Sequence, residues 1–500
     1  MGDVRNFDRS EPIFVRRSGA RSPAPDGAGR PRLGAGLPSC CAALGMMGWL
    51  LLGVISCGQD WQVQRAEDPR PNVLLISIDT LRADHLSTYG YFRETSPRLS
   101  ELARAGLQVH VAYAPSATTG PTHASLFTAR PPMAHGVRKN GQPLPEQEKT
   151  LAERLQEIGF ETGAVVSSYV LSDRFGYDQG FQAFNDDFSE AQTPMGSTVW
   201  EGETIEERFY GRADDTTDRA LAWLQGRQHK ADPFFLFVHY YDPHDPYLPP
   251  EGFTPPFAPG RKEALKLNRT IYLYDLLIAY TDQQIGRLLD GLAEAGLTED
   301  TLVVVTGDHG EGLMTHGHMY HGLQVYEEAV RIPLVLRWPG RIQAGTEVEK
   351  PFSLVELAPA VLEMLGDSPD GPLRTDNSAA RLLGQVPEEA NERPIFLYRR
   401  HYEGDSSEEM VTGARGEKYG VRFEDWKLIV GPEEGTLELY DLVRDPLEKN
   451  NVASSEPERV EALASMIEQW RSEHEPEAIG DPKTLSAPDR DRLKALGYVE

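Results

Sequence analysis

The chain has 500 residues, 40% apolar and 25% charged, a composition typical of a folded protein with one large and one smaller domain. The formal net charge is −27, and residues 1–57 hold seven arginines against four acidic residues, so residues 58–500 carry −30. Such acidity argues against nucleic acid as a partner and is otherwise typical of plain solubility. The cysteines are Cys40, Cys41 and Cys57, so the later chain has neither a disulfide framework nor a thiolate metal site.

The N-terminal segment predicts export. Residues 1 to about 30 are rich in Pro, Gly and Arg, which is typical of disorder or of an upstream start-site artefact. Residues 33–57 carry no charge and follow several arginines, a pattern typical of an export signal or a membrane anchor. The sequence Val-Ile-Ser-Cys-Gly around Cys57 resembles a bacterial lipobox, in which the cysteine is lipidated. An uncleaved anchor helix is the alternative, because the apolar run is long enough to span a membrane. Either way we expect the folded part, after a linker at residues 58–70, to be exported and associated with the cell envelope.

Apolar runs of strand length predict a buried sheet. They occur at residues 72–78, 163–167, 234–238, 302–306 and 332–336. Runs without polar alternation are typical of strands buried on both faces. Helical patterns lie between them, and this alternation predicts an α/β fold with a doubly wound, mostly parallel sheet, here a domain of residues 71–370.

Three helices have clear boundaries in the sequence. Ser96 is predicted to cap a helix that Pro97 opens, and Thr150 to cap another that ends near residue 159. Residues 272–295 show helical periodicity and stop before Gly296. Pro121 also predicts a helix start in which Thr119 or Gly120 is the N-cap.

A smaller C-terminal subdomain of α+β type is predicted for residues 390–500. Residues 366–393 are rich in Asp, Pro, Gly, Asn and Arg, which is typical of a linker. Strand patterns follow at residues 394–398 and 426–430, and a charged helix at about 456–473.

Polar clusters follow three of the buried strands. Asp79 follows the first, His239 to His244 the middle one, and Asp308-His309 the fourth. Functional residues of doubly wound sheets gather at these carboxyl ends. Two carboxylates and an imidazole suit a divalent cation, and the Thr119 hydroxyl can complete its coordination. Each residue alone also has a structural explanation, as a cap or a solvated loop, so their convergence carries the prediction.

Residues 116–130, Ser-Ala-Thr-Thr-Gly-Pro-Thr-His-Ala-Ser-Leu-Phe-Thr-Ala-Arg, resemble the active-site signature of the sulfatase family, a part of the alkaline phosphatase superfamily. Further segments that resemble this family run from residue 71 to the C-terminus, at residues 72–90, 307–311, 316–333, 439–452 and 493–498. The resemblance implies an alkaline-phosphatase-like fold and an ester hydrolase.

The resemblance also implies roles for single residues. Asp79, Asp308 and His309 would bind the metal with Thr119, which would be the nucleophile. His244 would contact the substrate or protonate the leaving oxygen. The other candidates are His123 as a catalytic residue, and His321, His316 and Lys427 as substrate contacts. His316, His318 and His321 could alternatively bind a second metal, with His244 and His321 the preferred pair. An exposed strand position is the alternative for Lys427.

Three departures from the family signature decide the expected chemistry. Thr119 stands at the cysteine that becomes formylglycine, so no formylglycine is expected; His123 replaces an arginine; and Thr80 replaces a second aspartate. Formylglycine hydrate expels sulfate by collapsing to an aldehyde, which the single hydroxyl of threonine cannot do. Water would instead have to attack the esterified threonine, as in phosphatase-like relatives.

The sequence therefore predicts an enzyme that hydrolyses sulfuric or phosphoric esters with Ca²⁺, Mg²⁺, Mn²⁺ or Zn²⁺. Chemistry favours phosphomonoesters or phosphodiesters, on a small-molecule, glycan or lipid substrate. An envelope phosphotransferase and an inactive glycan-binding pseudosulfatase are the alternatives. Retention of both the metal ligands and the nucleophile argues against the pseudosulfatase.

Overall fold

The computed structural model describes residues 70–187, 198–200, 203–205, 210–227, 230–257, 269–368, 371–373, 377–386, 393–403 and 413–474. All of them belong to one compact unit, residues 63–500. The predicted export segment with Cys57 and the closing segment 493–498 lie outside these ranges. Across the described ranges, no helix combines the length and the apolar character that crossing a membrane requires.

The described residues contain fifteen strands. They are β1 Asn72–Ile78, β2 Leu107–Tyr113, β3 Glu161–Val165, β4 Ala183–Asn185, β5 Thr198–Trp200, β6 Glu203–Ile205, β7 Phe234–Tyr240, β8 Thr301–Gly307, β9 Arg331–Arg337, β10 Thr346–Val348, β11 Phe352–Ser353, β12 Ile395–Tyr402, β13 Gly416–Phe423, β14 Trp426–Gly431 and β15 Thr436–Asp441. The five apolar runs of the sequence overlap β1, β3, β7, β8 and β9.

The helices alternate with the strands in the first part of the chain. They are α1 Pro97–Arg104, α2 Thr119–Thr128, α3 Pro132–His135, α4 Leu151–Glu157, α5 Ala213–Gly226, α6 Arg269–Glu294, α7 Glu327–Val330, α8 Leu357–Met364, α9 Ser378–Leu382 and α10 Pro457–His474. Short 3-10 turns occur at Ala83–His85, Ser87–Tyr89, Tyr169–Leu171, Asp173–Phe175, Leu354–Glu356 and Gly371–Leu373.

The main sheet has the order β10-β2-β9-β8-β1-β7-β3-β4, with β11 beside β2. The neighbours β8, β1, β7 and β3 run parallel, and every residue of β1, β7 and β8 is buried. This confirms the predicted mostly parallel sheet. β9 is an exception, because it runs antiparallel to both β8 and β2.

Helices cover both faces of the sheet. Val73 and Leu75 of β1 pack into one apolar cluster with α2, α4 and α8, whereas Leu74 and Ile76 pack into a second cluster with α1, α5 and α6. Alternate side chains of one strand therefore enter two separate cores, as a doubly wound sheet requires. This burial holds the carboxyl ends of the central strands in fixed positions.

The C-terminal sheet is an antiparallel meander in the order β12-β13-β14-β15. Leu463, Ile467 and Trp470 of α10 pack on one of its faces. The sheet also contacts the segment that precedes α2, since Tyr398 of β12 bridges Ser116 and its N–H donates to the Pro115 carbonyl at 2.8 Å. The C-terminal strands therefore support the start of α2 directly.

The two predicted cap residues Ser96 and Thr150 form different bonds in the structure. Ser96 occupies the predicted N-cap position of α1, but its side chain bonds to Ser87 and not to the helix. The carboxylate of Asp282 of α6 accepts instead from the N–H groups of Arg98 and Leu99 at 2.9 and 2.8 Å. A carboxylate can accept both amide hydrogens at once, which one serine hydroxyl does less well. By contrast, Thr150 caps α4 as predicted, and the side chain of Glu153 bonds back to it in a reciprocal cap that was not predicted.

The start of α2 also differs from the prediction. Thr118 holds the N-cap position and Thr119 is already the first helical residue, so neither Thr119 nor Gly120 is the cap. The Thr119 hydroxyl bonds to His309 Nε2 instead of capping the helix, so it remains available for chemistry.

Candidate active site

The candidate site lies where β8, β1 and β7 end side by side. Asp79 follows β1, Asp308 and His309 follow β8, and His239 is the last residue but one of β7. Because these strands are parallel neighbours, their carboxyl ends meet at one edge, and the N-terminus of α2 brings Thr119 to the same place. All five side chains are completely buried.

The two carboxylates and His309 form a tight cluster. The Nε2 atom of His309 lies 3.7 Å from Asp79 Oδ1 and 3.5 Å from Asp308 Oδ2. The second oxygen of Asp308, Oδ1, accepts from the N–H groups of Thr80 and His309 at 3.1 and 2.7 Å. Its position is therefore fixed by backbone, while Oδ2 is left facing the cluster.

The orientation of the His309 ring follows from its contacts. Its Nδ1 atom lies 3.0 Å from the Gly310 carbonyl oxygen, which can only accept, so Nδ1 carries the hydrogen and Nε2 the lone pair. Burial lowers the pKa of His309 to about 4, so the ring is neutral at pH 7. A neutral imidazole with a lone pair aimed at two carboxylates is the arrangement of a metal ligand.

Several buried acceptor atoms in this cluster lack a partner among the described residues. They are Asp79 Oδ1, Asp79 Oδ2 and Asp308 Oδ2. Burial, and then the charge of the neighbouring carboxylate, raises the pKa of Asp79 well above its usual range, and burial also raises that of Asp308. Such atoms are costly to bury unless a cation or donors meet them. Asp79, Asp308 and His309 have the donor set and the spacing that fit a divalent cation.

Thr119 contributes the hydroxyl group of the site. Its Oγ1 atom donates to His309 Nε2 at 3.2 Å, which places it beside the two carboxylates. It also lies at the N-terminus of the ten-residue helix α2, where the helix dipole is positive and favours a bound anion.

His123 contacts the backbone of Thr119 and not its hydroxyl group. Its Nδ1–H donates to the Thr119 carbonyl at 2.8 Å, and its Nε2 accepts from the Ser77 hydroxyl at 2.9 Å. Both ring nitrogens are thus engaged, and burial lowers the pKa of His123, so the ring is neutral. The structure gives this predicted catalytic residue a role in holding the backbone of Thr119.

His244 and His321 meet at the edge of the site. Their Nε2 atoms lie 3.1 Å apart, and the ring of His321 has its centroid 4.5 Å from that of His309. Burial lowers the pKa of His244 to about 4 and that of His321 well below its usual range. These two predicted site residues are therefore brought together beside the metal-type cluster.

The structure does not bring His316 or Lys427 to this cluster. The His316 nitrogens contact Glu328 Oε1 at 2.6 Å and the Glu448 carbonyl at 3.0 Å. Lys427 is fully buried, and its Nζ lies 3.0 Å from both Glu327 Oε1 and Glu448 Oε1. The polar atoms of both side chains contact Glu327, Glu328 or Glu448 and so join the C-terminal sheet to the rest of the unit, and their part in substrate contact stays a prediction from the sequence. Lys427 is also not the exposed strand residue of the alternative prediction.

Two residues of the site had no role assigned from the sequence: Asn140 was not singled out, and His239 was named only as the first residue of the polar cluster after the middle strand. Asn140 accepts the Gly120 N–H at 2.7 Å, and its Nδ2 group is buried without a partner among the described residues. His239 lies with Nε2 3.7 Å from Asp79 Oδ2. Its position near the end of a buried strand was a usable signal, whereas Asn140 precedes a glycine and has the appearance of an ordinary turn residue.

Comparison with known proteins agrees with this geometry. Residues 71–367 match the family model described as Sulfatase, and residues 315–475 match the one described as N-sulphoglucosamine sulphohydrolase, C-terminal. The N-acetylglucosamine-6-O-sulfatase of Bacteroides thetaiotaomicron is 24% identical over 518 residues, which cover 84% of this chain and 90% of that protein.

Relatives with other names are also similar. The multifunctional alkaline phosphatase superfamily protein PehA of Trinickia caryophylli is 27% identical over 388 residues, covering 59% of this chain and 74% of that protein. The crystal structure of the phosphonate monoester hydrolase of Agrobacterium radiobacter matches with a TM-score of 0.63 at 24% identity, covering 81% of this chain and 96% of that one.

The fold and the cluster at its strand ends define an ester hydrolase of the alkaline-phosphatase-like class. Within that class the chain belongs to the sulfatase family, since the family model spans more than half of its length. The resemblance predicted from residues 116–130 and the later segments is thereby confirmed.

Proposed function

We propose that this sulfatase-family hydrolase is a metal-dependent phosphoesterase in which Thr119 Oγ1 attacks phosphorus. One observation carries the proposal: the Thr119 hydroxyl lies 3.2 Å from His309 Nε2, at the edge of a buried cluster that also contains Asp79 and Asp308. A threonine hydroxyl needs a metal or a base to become a good nucleophile, and the neighbouring cluster has the ligand atoms of a cation site.

Asp79, Asp308 and His309 would hold the cation, with Thr119 completing the set. A bound divalent cation supplies Lewis-acid chemistry, lowering the pKa of the threonine hydroxyl and offsetting the charge of the ester. The free carboxylate oxygens of Asp79 and Asp308 support this assignment, because they otherwise remain buried without partners among the described residues.

Residues of the chain would carry out nucleophilic attack, protonation of the leaving group and stabilisation of the anionic group. Thr119 Oγ1, once its hydroxyl proton has passed to solvent, forms a bond to phosphorus as the bond to the leaving oxygen breaks. His244, after taking up a proton from solvent between its Nε2 and that of His321, gives this proton to the leaving oxygen. The N-terminus of α2 favours the anionic group electrostatically, and the free N–H of Asn140 Nδ2 can donate to one of its oxygens. Water next attacks phosphorus in the phosphothreonine, which releases phosphate and restores Thr119.

Threonine chemistry favours phosphate over sulfate. A sulfated threonine has no second hydroxyl through which it could expel sulfate as an aldehyde forms, so both esters would depend on attack by water. The similarity to a phosphonate monoester hydrolase and to PehA supports the choice of phosphorus. Sulfate esters of sugars are the second candidate, because the relative from Bacteroides thetaiotaomicron is named for one. Export and lipidation at Cys57 stay predictions from the sequence.

The test compares aryl phosphate, bis-aryl phosphate and aryl sulfate as substrates, each with Mn²⁺, Zn²⁺, Mg²⁺ or Ca²⁺. We expect turnover of a phosphoester by the wild type, loss of turnover in Thr119→Ala and partial activity in Thr119→Ser, which keeps the hydroxyl. Acid quenching during turnover should leave phosphate on the peptide that contains Thr119, detectable by mass spectrometry.

Two results would count against the proposal. Turnover that survives Thr119→Ala would remove Thr119 as the nucleophile. Turnover of aryl sulfate alone, with no phosphoester hydrolysed under any metal, would assign the enzyme to sulfate esters.

A further inference from the structure

The turn that follows β1 has a backbone conformation that its residue disfavours. Thr80 has a φ of +52°, in the left-handed region, and its side chain is completely buried. A β-branched residue in this region is a steric outlier, and it persists only where its surroundings impose the conformation. The turn beside Asp79 therefore depends on contacts that hold Thr80 in place.

The backbone of Thr80 links the two carboxylates of the cluster. Asp79 precedes it directly, and its N–H donates to Asp308 Oδ1 at 3.1 Å. This N–H belongs to the peptide group between Asp79 and Thr80, and the φ angle of Thr80 sets the orientation of that group relative to the residues that follow. A change in this angle would disturb both the bond to Asp308 and the direction of the Asp79 side chain.

Tyr274 of α6 holds this turn from the other side. Its hydroxyl donates to the Thr80 carbonyl oxygen at 2.6 Å and accepts from the Arg82 N–H at 3.0 Å. One oxygen atom thus bridges two backbone groups of the turn. Because Tyr274 is completely buried, each of these bonds is costly to lose.

The Tyr274 ring is itself fixed in place. It meets the rings of His85 and Tyr247 edge-on, with centroids 5.2 and 6.0 Å away. The next residue of α6, Asp275, is also buried, and its carboxylate contacts His85 Nδ1 at 2.8 Å and accepts from the Tyr91 hydroxyl at 2.9 Å. The helix therefore presents Tyr274 to the turn from a fixed position.

We propose that Tyr274 is a positioning residue of the cation site, which holds Thr80 in the left-handed conformation that aligns Asp79 and Asp308. Both of its bonds to the turn are to backbone groups, so it acts on the two carboxylates through the turn and not as a ligand. Removal of such outer-sphere partners typically lowers metal affinity by about 10–100-fold. This inference rests on the proposed function only in that both concern the same cation.

The test compares two tyrosines with the same bonding pattern. The Tyr89 hydroxyl donates to the Val109 carbonyl oxygen at 2.9 Å and accepts from the Leu334 N–H at 2.8 Å, so it bridges β2 and β9. In competition with a chelator, we expect Tyr274→Phe to bind Zn²⁺ about 10–100-fold more weakly than the wild type. Tyr89→Phe should lower the melting temperature in a similar way and leave the zinc affinity unchanged.

Two results would overturn the inference. One is wild-type zinc affinity in folded Tyr274→Phe, which would reduce the tyrosine to a structural residue. The other is an equal loss of affinity in Tyr89→Phe, because zinc binding would then follow overall stability. Melting temperatures of both variants report how much stability each has lost.

A double variant tests the part of Thr80. Glycine adopts positive φ without steric cost, so Thr80→Gly in the Tyr274→Phe background should recover part of the lost zinc affinity. No recovery would contradict an action through Thr80. Weakened zinc binding by Tyr274→Phe, in a protein whose wild type hydrolyses no phosphoester, would refute the proposed function and leave this inference intact. Unchanged zinc binding by the variant of an active phosphoesterase would do the reverse.

Discussion

The Nε2 atoms of His244 and His321 lie 3.1 Å apart, and the Nδ1 atom of each ring contacts a backbone carbonyl oxygen, that of Asp245 at 2.5 Å and that of Ala117 at 3.3 Å. Carbonyl oxygens only accept, so each Nδ1 carries a hydrogen and the two Nε2 lone pairs face each other. A single proton taken up between them is shared by both rings. The pair is thus suited to receive a proton when an anionic ester binds and to pass it to the leaving oxygen.

This arrangement predicts a dependence on the leaving group. We expect His244→Gln and His321→Gln to lower kcat for phenyl phosphate by about 10²–10⁴, and to lower it much less for 4-nitrophenyl phosphate, whose leaving group needs no proton. Steady-state kinetics with both esters measure the difference. His110→Gln should change neither rate, and equal losses for the two esters would contradict a role in protonation.

The unpartnered carboxylate of Asp79 predicts opposite effects with and without metal. In chelator-treated protein, Asp79→Asn should raise the free energy of unfolding at neutral pH by about 1–3 kcal/mol, because the buried Asp79 must either carry a charge without a partner or take up a proton that the unfolded chain has released. Added Zn²⁺ at 100 times its Kd should stabilise the wild type by about 2.7 kcal/mol and the variant far less. Thermal melts with and without chelator measure both effects. Asp218→Asn, at an exposed ion pair with Arg287, should differ from the wild type by less than about 1 kcal/mol in either condition.

The free Nδ2 group of Asn140 predicts a role in turnover. Asn140→Ala should lower kcat by about 10²–10³, the usual effect of removing a donor aimed at the charge of a transition state. Phosphoester kinetics measure this, with the melting temperature as a check on folding. A rise in KM at constant kcat would instead show that the group binds substrate and transition state equally.

Lys427 is predicted to stabilise the fold without serving catalysis. Burial disfavours its charge, but Glu448 and Glu327 outweigh this and raise the pKa of Lys427. Lys427→Met leaves the buried carboxylate of Glu448 and the partly buried one of Glu327 without a cation, and should lower the free energy of unfolding by about 3–5 kcal/mol in urea titrations. Lys149→Met, at a half-exposed ion pair, should change it by less than about 1 kcal/mol. A large fall in kcat of folded Lys427→Met protein would contradict this prediction and indicate a part for Lys427 in catalysis.

Asp282 predicts a pH dependence of stability. Burial raises its pKa from 3.8 to about 7 in the folded protein, despite two bonds from backbone N–H groups. Between pH 3.8 and pH 7 the folded state keeps a proton on Asp282 that the unfolded state has lost. The stabilisation of the fold by this proton is therefore complete below pH 3.8 and disappears as the pH rises to 7. From pH 4 to 7 the wild type should lose up to about 4 kcal/mol relative to Asp282→Asn, measured by urea unfolding. Asp290→Asn, exposed on the same helix, should track the wild type.

Much of the fold could be predicted from local sequence. The run at residues 72–78 coincides with β1, and the predicted helix at 272–295 nearly coincides with α6, because strands buried on both faces and long amphipathic helices leave strong patterns. β2 was missed, since Gln108 and His110 interrupt its apolar run and its partners β9 and β10 lie more than 200 residues away.

The site residues also divide into those that the sequence could predict and those that it could not. Asp79 and Asp308 were predicted by their place after buried strands, a rule that depends only on chain direction. The engagement of His316 by Glu328 and Glu448 could not be predicted, because it depends on how the C-terminal sheet docks. The lack of a hydrogen-bond partner for either ring nitrogen of His239, among the described residues, likewise becomes evident only when the distances to all its neighbours are known.

The bridge between Ser116 and Tyr398 links the C-terminal sheet to the segment before Thr119, so the two regions are not independent modules. Arg399 also donates to the Leu323 carbonyl at 3.3 Å and Lys418 to Gln324 at 2.7 Å, close in sequence to His321. The C-terminal strands thus contact both the segment that precedes Thr119 and the segment that carries His321. Exchanging C-terminal regions among relatives would therefore alter reactivity along with surface properties, and viable crossovers must keep these contacts within one parent.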